Sequence, residues 1–146
     1  MKATEKAKLA ARKSAQTPLA HGVGRRKTAV ARVWLRPGKG KGAIIVNDTD
    51  YLAYFDTHVA RTSAHKPFDV FPQGAMYDAQ ANVAGGGVEA QADAVKLAIS
   101  RALCLIDEQA RPVFKEHGLL TVDSRVKERK KYGQKAARRK FQFVKR

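Results

Sequence analysis

The stretch VEAQADAVKLAISRALCLI, residues 88–106, decides what kind of fold this chain forms. Its apolar residues recur at steps of three and four, which places them on one side of a helix with about 3.6 residues per turn. The positions are Val88, Ala92, Val95, Ile99, Ala102, Leu103 and Ile106. We therefore predict one long amphipathic helix whose apolar side packs on a sheet.

Two stretches before this helix alternate between apolar and polar residues, as half-buried strands do. The inward positions are predicted to be Ala29, Ala31, Val33 and Leu35 in residues 27–35 (KTAVARVWL), and Tyr77, Ala79, Ala81 and Val83 in residues 77–83 (YDAQANV). Three glycines then separate the second strand from the long helix. These three elements form the predicted framework.

Shorter elements are predicted around this framework. A glycine-rich turn at residues 36–42 leads to a strand at residues 43–46, which we expect to form a hairpin with the first strand. The remaining predicted elements are a short helix after Asp50, a strand at residues 67–71, a helix at residues 108–117 that stops at Gly118, and a strand at residues 119–122. The predicted fold class is α/β (α+β): a single two-layer domain with a mixed four-stranded sheet and helices mainly on one face.

Charge is concentrated at the two ends of the chain. The whole sequence has 29 Lys and Arg against 13 Asp and Glu, a formal net charge of +16. Residues 125–146 hold eleven of these basic residues and a single acid, Glu128, while residues 1–20 hold five basic residues and one acid. The middle of the chain is nearly balanced. A polyanion is the expected partner.

The distribution of charge divides the chain into three predicted segments. Residues 1–20 form a basic N-terminal extension, residues 21–122 a globular domain, and residues 123–146 a long extended basic C-terminal arm. The arm has too few apolar groups to offset its chain entropy by burial, so we expect it to take shape only on a partner. Its Tyr132, Phe141 and Phe143 are suited to stacking on bases.

Catalytic and metal chemistry is not expected. The four histidines are scattered without the spacing or carboxylate partners of a metal or nucleophilic site, and no cofactor is predicted. Cys104 is alone in an apolar helical pattern, which favours a small buried thiol. No apolar run is long enough to span a bilayer, and the first residues lack the apolar core of a secretory signal. A basic, Ala-rich transit peptide at residues 1–20 stays open as an alternative.

The triplet Gly85, Gly86 and Gly87 precedes a helix N-terminus, where backbone amides can receive a phosphate. This leaves open a small phosphotransfer enzyme. No Walker lysine follows the glycines, however, and Glu89 and Asp93 are negative where a phosphate would bind. A tight turn between strand and helix is favoured, and an RNA backbone approaching the glycines is compatible with it.

The kind of polyanion is also indicated by the sequence. A second basic cluster, Arg25, Arg26 and Lys27, precedes the first predicted strand, while the long helix has only Lys96 and Arg101 as bases. A groove-reading DNA motif requires a helix with an exposed basic face. Structured RNA offers crevices and unpaired loops to a basic arm with aromatic residues, so RNA is favoured over DNA.

Three blocks carry a family resemblance: GVGRRKTAVARVWLRPGKG at residues 22–40, GGGVEAQADAVKLAISRAL at residues 85–103, and ERKKYGQKAARRKFQFVKR at residues 128–146. Together they resemble the family of the universal ninth protein of the small ribosomal subunit, in its bacterial form. The resemblance covers the chain from about residue 21 to the end. It implies a two-layer domain on the subunit head, no enzymatic activity, and an arm that threads through rRNA to P-site tRNA.

The resemblance also implies partners and contact residues. The partners are small-subunit rRNA, the P-site tRNA anticodon stem-loop and neighbouring ribosomal proteins of the head, with no membrane. The ribosome is expected to be cytoplasmic, with a plastid or mitochondrial ribosome as the alternative. The tRNA-binding residues carried over are Gln142, Phe143, Lys145 and Arg146. The rRNA-binding residues are Arg25, Arg26, Lys27, Arg129, Lys130, Lys131, Tyr132, Lys135, Arg138, Arg139 and Lys140, with a backbone approach to RNA at Gly85, Gly86 and Gly87.

The chain departs from the family's pattern at three places. Val95, Lys96 and Leu97 stand at helix positions that are often basic in relatives, with Asp93 nearby. Glu89 and Ala90 follow the glycines where relatives commonly have a small residue and then glycine, which weakens an RNA contact at the start of the helix. Val144 stands where a serine is usual, so one hydroxyl contact near the end is expected to be lost. The terminal charges of Lys145 and Arg146 are kept.

Overall fold

A computed structural model describes residues 17–38 and 40–145 of the chain. In those residues five strands and four α-helices are formed. The strands are β1 (Ala20–Arg26), β2 (Ala29–Pro37), β3 (Ile44–Val46), β4 (Thr49–Asp50) and β5 (Tyr77–Ala84). The helices are α1 (Tyr51–Tyr54), α2 (His58–Val70), α3 (Val88–Ile106) and α4 (Ala110–Glu116), with a 3₁₀ helix at Pro72–Met76.

The five strands form one mixed sheet in the order β1-β2-β5-β3-β4. β1 and β5 both pair antiparallel with β2, while β3 pairs parallel with β5 and antiparallel with β4. The parallel pair requires the chain to cross over between β3 and β5, and helices α1 and α2 lie in that connection. The predicted fold class, a mixed sheet with helices packed on it, is confirmed.

The core lies between helix α3 and one face of the sheet. Ala31, Val33 and Leu35 of β2 are fully buried there, as are Val95 and Ile99 of α3. The alternation predicted for β2 and β5 is confirmed, and α3 has the bounds that the periodicity of its apolar residues predicts. Apolar burial of this kind stabilises a fold by roughly 25 cal/mol per Å² removed from water.

Strand β1 and helix α3 are packed unusually close to each other. A Cβ atom built on Gly24 would lie 1.9 Å from the carbonyl oxygen of Ala94, and one built on Gly22 would lie 2.1 Å from the carbonyl oxygen of Ala98. Only glycine permits such an approach. The facing helix residues Ala94, Ala98 and Ala102 are small as well, and all three are fully buried. We call this contact the β1–α3 seam.

The strand count differs from the predicted four. The segment leading into the first predicted strand, with Gly22 and Gly24, is itself strand β1, because the seam buries its glycine face against α3. Strand β4 is a two-residue addition after β3. The strand predicted at residues 119–122 is absent, and those residues form a turn and irregular chain after Gly118, whose φ of 67° ends the preceding helix as predicted.

Two pairings and one helix also differ from prediction. The predicted hairpin between the first strand and residues 43–46 is wrong: β2 forms its hairpin with β1, and β3 lies beside β5. The strand predicted at residues 67–71 is wrong too, because this stretch ends helix α2. Burial of Ala64, Pro67 and Phe68 in the core outweighs the cost of a proline inside that helix.

Of the smaller predicted features, the cap of α1 agrees with the structure and the full burial of Cys104 does not. Helix α1 is capped by the Asp50 side chain, which accepts a hydrogen bond from the backbone N–H of Leu52, as predicted. Cys104 is half-buried rather than buried, since it lies towards the end of α3. None of the helices in the described residues has the length and apolar character needed to cross a membrane.

The β1–α3 seam predicts a position-specific stability loss. Gly24→Ser should lower the free energy of unfolding by at least about 2 kcal/mol, because the added atoms overlap the backbone of α3. Gly87→Ser is the matched control: a Cβ there meets no atom within 4 Å, and serine is a favoured residue at a helix N-cap. Its effect should stay within about 0.5 kcal/mol. Chemical denaturation of both purified variants measures the difference, and similar losses at both positions would contradict the seam.

Candidate nucleic-acid interface

The C-terminal segment, residues 121–145, contains no helix or strand. Its lysines and arginines are all exposed: Arg125, Lys127, Arg129, Lys130, Lys131, Lys135, Arg138, Arg139, Lys140 and Lys145. Ammonium and guanidinium groups at this density repel one another unless an anion neutralises them. Both groups form strong charge-assisted hydrogen bonds to phosphate. The segment therefore has the chemistry of a surface for a phosphate backbone.

Aromatic side chains of the C-terminal segment are exposed to an unusual degree. Tyr132 is 103% exposed and Phe143 is 89% exposed. Phe141 is also exposed, and the ammonium group of Lys135 lies 5.6 Å from its ring centroid. Exposure of an aromatic ring to water is not favourable, whereas stacking of the ring on a nucleic-acid base is. Cations and rings together are typical of a single-stranded or loop-binding surface.

The C-terminal segment folds back on itself instead of running fully extended. Arg138 donates two hydrogen bonds to Glu128, from Nε at 3.0 Å and from Nη2 at 2.6 Å. Ten extended residues would span about 33 Å, so this ion pair requires a reversal of the chain. Gly133, with a φ of 69°, lies in the reversal. The bond from Arg138 holds the pKa of Glu128 below its ordinary value.

Arg26 is directed into the protein and holds the start of the C-terminal segment. Its Nη1 donates to the carbonyl oxygen of Asp123 at 3.0 Å, and its Nη2 lies 2.9 Å from the Asp123 carboxylate. Its Nε is 3.7 Å from the carboxylate of Asp93 on α3. Only 16% of the Arg26 side chain is exposed. The predicted RNA-binding triplet is thus divided, because Arg26 makes contacts within the chain.

Two carboxylates complete this contact. The side chain and backbone N–H of Arg125 donate to Asp123, which lowers the pKa of that carboxyl far below its ordinary value. Burial acts to raise the pKa of Asp93, but hydrogen bonds donated by Lys96 and Ser63 outweigh it, so the pKa of Asp93 is lowered. Both carboxylates are therefore charged at neutral pH and attract Arg26.

Arg25 and Lys27 are exposed on either side of Arg26. Lys27 begins the two-residue turn between β1 and β2 and has a φ of 52°. The turn lies against the glycine triplet, since a Cβ on Gly85 would be 2.6 Å from the carbonyl oxygen of Thr28 and one on Gly86 would be 2.8 Å from the Cβ of Ala29. The structure thus brings two predicted sites together, and the glycines serve close packing there.

The residues predicted to bind tRNA are only partly described. Gln142, Phe143 and Lys145 are exposed at the end of the C-terminal segment and make no hydrogen bond or ion pair to the rest of the described chain. Arg146 lies outside the described residues, as do residues 1–16 of the predicted N-terminal extension. The end of the C-terminal segment, residues 142–145, is separated from the Arg26 contact at Asp123 by the chain reversal at Gly133.

Histidine and carboxylate groups form no metal-binding cluster in the part of the chain that the structure describes. His65 lies 2.8 Å from a carboxylate oxygen of Asp69, and His58 lies near Thr62 one turn along the same helix. His21 packs on the ring of Trp34. These three histidines thus have separate local partners.

The sequence did not indicate the separate role of Arg26. The alternation of β1 is the signal that could have revealed it: Arg26 falls on the same side as Gly22 and Gly24, whereas Arg25 falls on the other. Without a recognised strand, three consecutive basic residues look equivalent. The partner Asp123 is 97 residues away, and no local pattern connects the two.

The chain is similar to known proteins over most of its length. A family model described as ribosomal protein S9/S16 matches residues 24–146. Small ribosomal subunit protein uS9 of Cytophaga hutchinsonii is 47% identical over 124 residues, covering 85% of this chain and 95% of that protein. The uS9 of Christiangramia forsetii is 48% identical, covering 86% and 97% of the two chains. The uS9 of Chlorobium phaeobacteroides is 50% identical, covering 85% and 95%.

The Arg26 contact predicts a local change. Arg26→Ala should speed amide exchange at residues 123–126 and lower the free energy of unfolding by about 1 to 3 kcal/mol, because two carboxylates lose a charged donor. Arg25→Ala removes the same charge from the exposed neighbouring position and should change neither quantity. Hydrogen exchange with mass spectrometry measures amide exchange in both variants, and chemical denaturation measures their free energies of unfolding. Unchanged exchange in the Arg26 variant would exclude the contact in solution.

Proposed function

Since the chain belongs to the S9 family of ribosomal proteins, we propose that its C-terminal segment binds rRNA in the head of the small subunit and reaches P-site tRNA with its tip. The family assignment makes the chain a structural constituent of the small ribosomal subunit and not an enzyme. The uS9 proteins that it resembles are bacterial, which corresponds to a ribosome of the cytoplasm. Small-subunit rRNA is its partner.

The observation that supports the finer proposal is the exposure of the cations and rings in the C-terminal segment. Ten basic side chains lie in a stretch without helix or strand, and the described residues pair only Arg125 and Arg138 with carboxylates in side-chain ion pairs. Each cation that meets a phosphate releases condensed counterions, so affinity is gained without base recognition. An RNA that surrounds the segment supplies the missing anions.

We assign separate roles to three parts of the chain. Residues 21–122 form the domain that docks on rRNA, and residues 123–146 form the arm that penetrates it. Residues 1–20 are a basic extension whose described part, residues 17–20, leads directly into β1. Neighbouring proteins of the subunit head are expected to contact the domain. Arg26 orients the arm by fixing Asp123, so the direction of the arm is set before RNA is bound.

The proposed rRNA contacts lie along the arm and at the turn between β1 and β2. They are Arg25, Lys27, Arg129, Lys130, Lys131, Tyr132, Lys135, Arg138, Arg139 and Lys140, with Arg26 acting through its hold on Asp123. The glycine triplet is a weaker proposal, because Gly85 and Gly86 pack on the hairpin and Glu89 follows them.

Gln142, Phe143, Lys145 and Arg146 are the proposed tRNA contacts. Lys145 and Arg146 hold phosphate without reading sequence, so every P-site tRNA is served alike.

Deleting Lys145 and Arg146 tests the tip. Subunits with the shortened chain should assemble normally but release P-site tRNA faster, because two cations opposite the tRNA backbone are gone. Filter binding of tRNA to purified subunits, with and without the two residues, measures the effect at several salt concentrations. The slope of log affinity against log salt should fall by about 2.

The matched control removes two cations elsewhere. Arg111→Ala with Lys115→Ala lowers the charge equally on helix α4, outside the C-terminal segment. This double variant should bind P-site tRNA like the unchanged chain. Equal tRNA affinity for the deletion and the unchanged chain would refute the tip assignment while leaving the rRNA role intact.

A longer truncation tests the rRNA role of the arm. A chain ending at Lys127 keeps Asp123 and Arg125, so the Arg26 contact is preserved and the domain should unfold at an unchanged denaturant concentration. It should nevertheless be lost from small subunits during a high-salt wash, since most of the phosphate-binding charge is absent. Sedimentation of reconstituted subunits gives the answer. Full retention in high salt would show that the domain alone provides the affinity.

A further inference from the structure

The outer face of the sheet, opposite helix α3, carries a second set of RNA-binding groups. Alternate residues of β1, β2 and β5 point to this face, and they are exposed or half-buried while their neighbours are buried. No helix among the described residues packs on the outer faces of β1, β2 and β5. Cross-strand partners on this face form four rows that run across the strands. The rows are Arg25, Val30 and Ala84; Val23, Arg32 and Asn82; His21, Trp34 and Gln80; and Arg36 and Asp78.

An aromatic pair lies in the third of these rows. His21 and Trp34 are direct cross-strand partners, with ring centroids 5.1 Å apart and an angle of 36° between the planes. Trp34 is the only tryptophan of the chain, and it is half-buried on a strand instead of in the core. A tilted pair of rings between arginine and amide side chains is a platform on which a flat base can stack.

Arginines border this platform. Arg32 and Arg36 flank Trp34 along β2, and Arg25 lies beyond them at the hairpin end. The described chain offers none of the three an ion pair, and the Nε–H of Arg36 lacks a hydrogen-bond acceptor there. Two acids are also present: Asp78, the cross-strand partner of Arg36, accepts from the backbone N–H of Ala43, and Asp48 lies in the turn after β3. The three arginines outnumber these two acids.

Amide side chains occupy the neighbouring strand. Gln80 lies across from Trp34, and Asn82 lies across from Arg32. Amides present a donor and an acceptor side by side, which matches the hydrogen-bonding edge of an unpaired base. Rings, guanidinium groups and amides are thus arranged in adjacent rows. Such a set fits unpaired nucleotides better than duplex RNA, whose base faces are stacked and whose deep groove excludes side chains.

We propose that the outer face of the sheet binds an unpaired stretch of rRNA, with one base stacked on Trp34 and the phosphates on Arg32 and Arg36. This inference rests on the proposed rRNA-binding function and adds a contact that is independent of the C-terminal segment. The half-buried centre of the face is Trp34 between two arginines. Tryptophan and arginine are also common in protein interfaces, so a neighbouring protein is the rival occupant that the crosslinking test below separates from RNA.

Crosslinking in assembled subunits tests the occupant directly. The full chain with Trp34→benzoylphenylalanine is incorporated into small subunits and irradiated, and the linked component is identified by mass spectrometry. We expect linkage to an unpaired rRNA nucleotide. Linkage to a ribosomal protein, to paired rRNA, or to no component at all in subunits that contain the chain would overturn the proposal. Failure of the unchanged chain to enter subunits would instead refute the proposed function as well.

Affinity measurements test the stacking. Trp34→Ala should weaken binding of the full chain to subunits that lack it by about 5- to 150-fold, corresponding to one stacked base. Trp34→Phe keeps a ring and should lose less than about 3-fold. Arg32→Ala should reduce the salt slope by about 1, whereas Arg111→Ala on α4 should not. Thermal unfolding of the free variants verifies that each is folded. If the phenylalanine and alanine variants bind equally well, stacking on this face is excluded.

Discussion

The β1–α3 seam is the constraint on which the rest of the structure depends. With glycines at alternate positions of β1 and alanines at every fourth position of α3, the strand backbone lies directly on the helix backbone. A larger side chain at either glycine would push the strand away from the helix. The seam fixes β1 at the edge of the sheet and aligns it with residues 94–102 of α3. It also determines where the hairpin tip and its basic residues are held.

The Arg26 contact is a direct result of the seam. Because Gly24 lies on Ala94, the next inward residue of β1 reaches the preceding residue of the helix, Asp93. Arg26 is therefore placed between Asp93 on the domain and Asp123 on the C-terminal segment. A backbone fit between two core elements thus sets the position at which a largely unpaired cationic segment leaves the domain. Packing in the core and the presentation of charge at the surface are linked through one side chain.

The sequence predicted those parts of the fold whose signals are local. The apolar spacing of Val88, Val95 and Ile99 was sufficient for α3, and the alternation around Val33 and Ala81 was sufficient for β2 and β5. β1 was missed because glycine has a low strand propensity and its burial depends on a helix 70 residues later. The pairing of β3 with β5 and the pairs formed by Arg26 and Arg138 are contacts distant in sequence, and charge counts cannot assign them. The concentration of exposed cations beyond Leu120, by contrast, followed from composition alone.

The open chain beyond Leu120 has a consequence for the life of the protein between its synthesis and its assembly. A run of exposed lysines and arginines without a hydrogen-bonded ladder is the preferred substrate of proteases that cut after basic residues. In the free protein this stretch is therefore the first to be cut, while the hydrogen-bonded backbone of the folded domain stays protected.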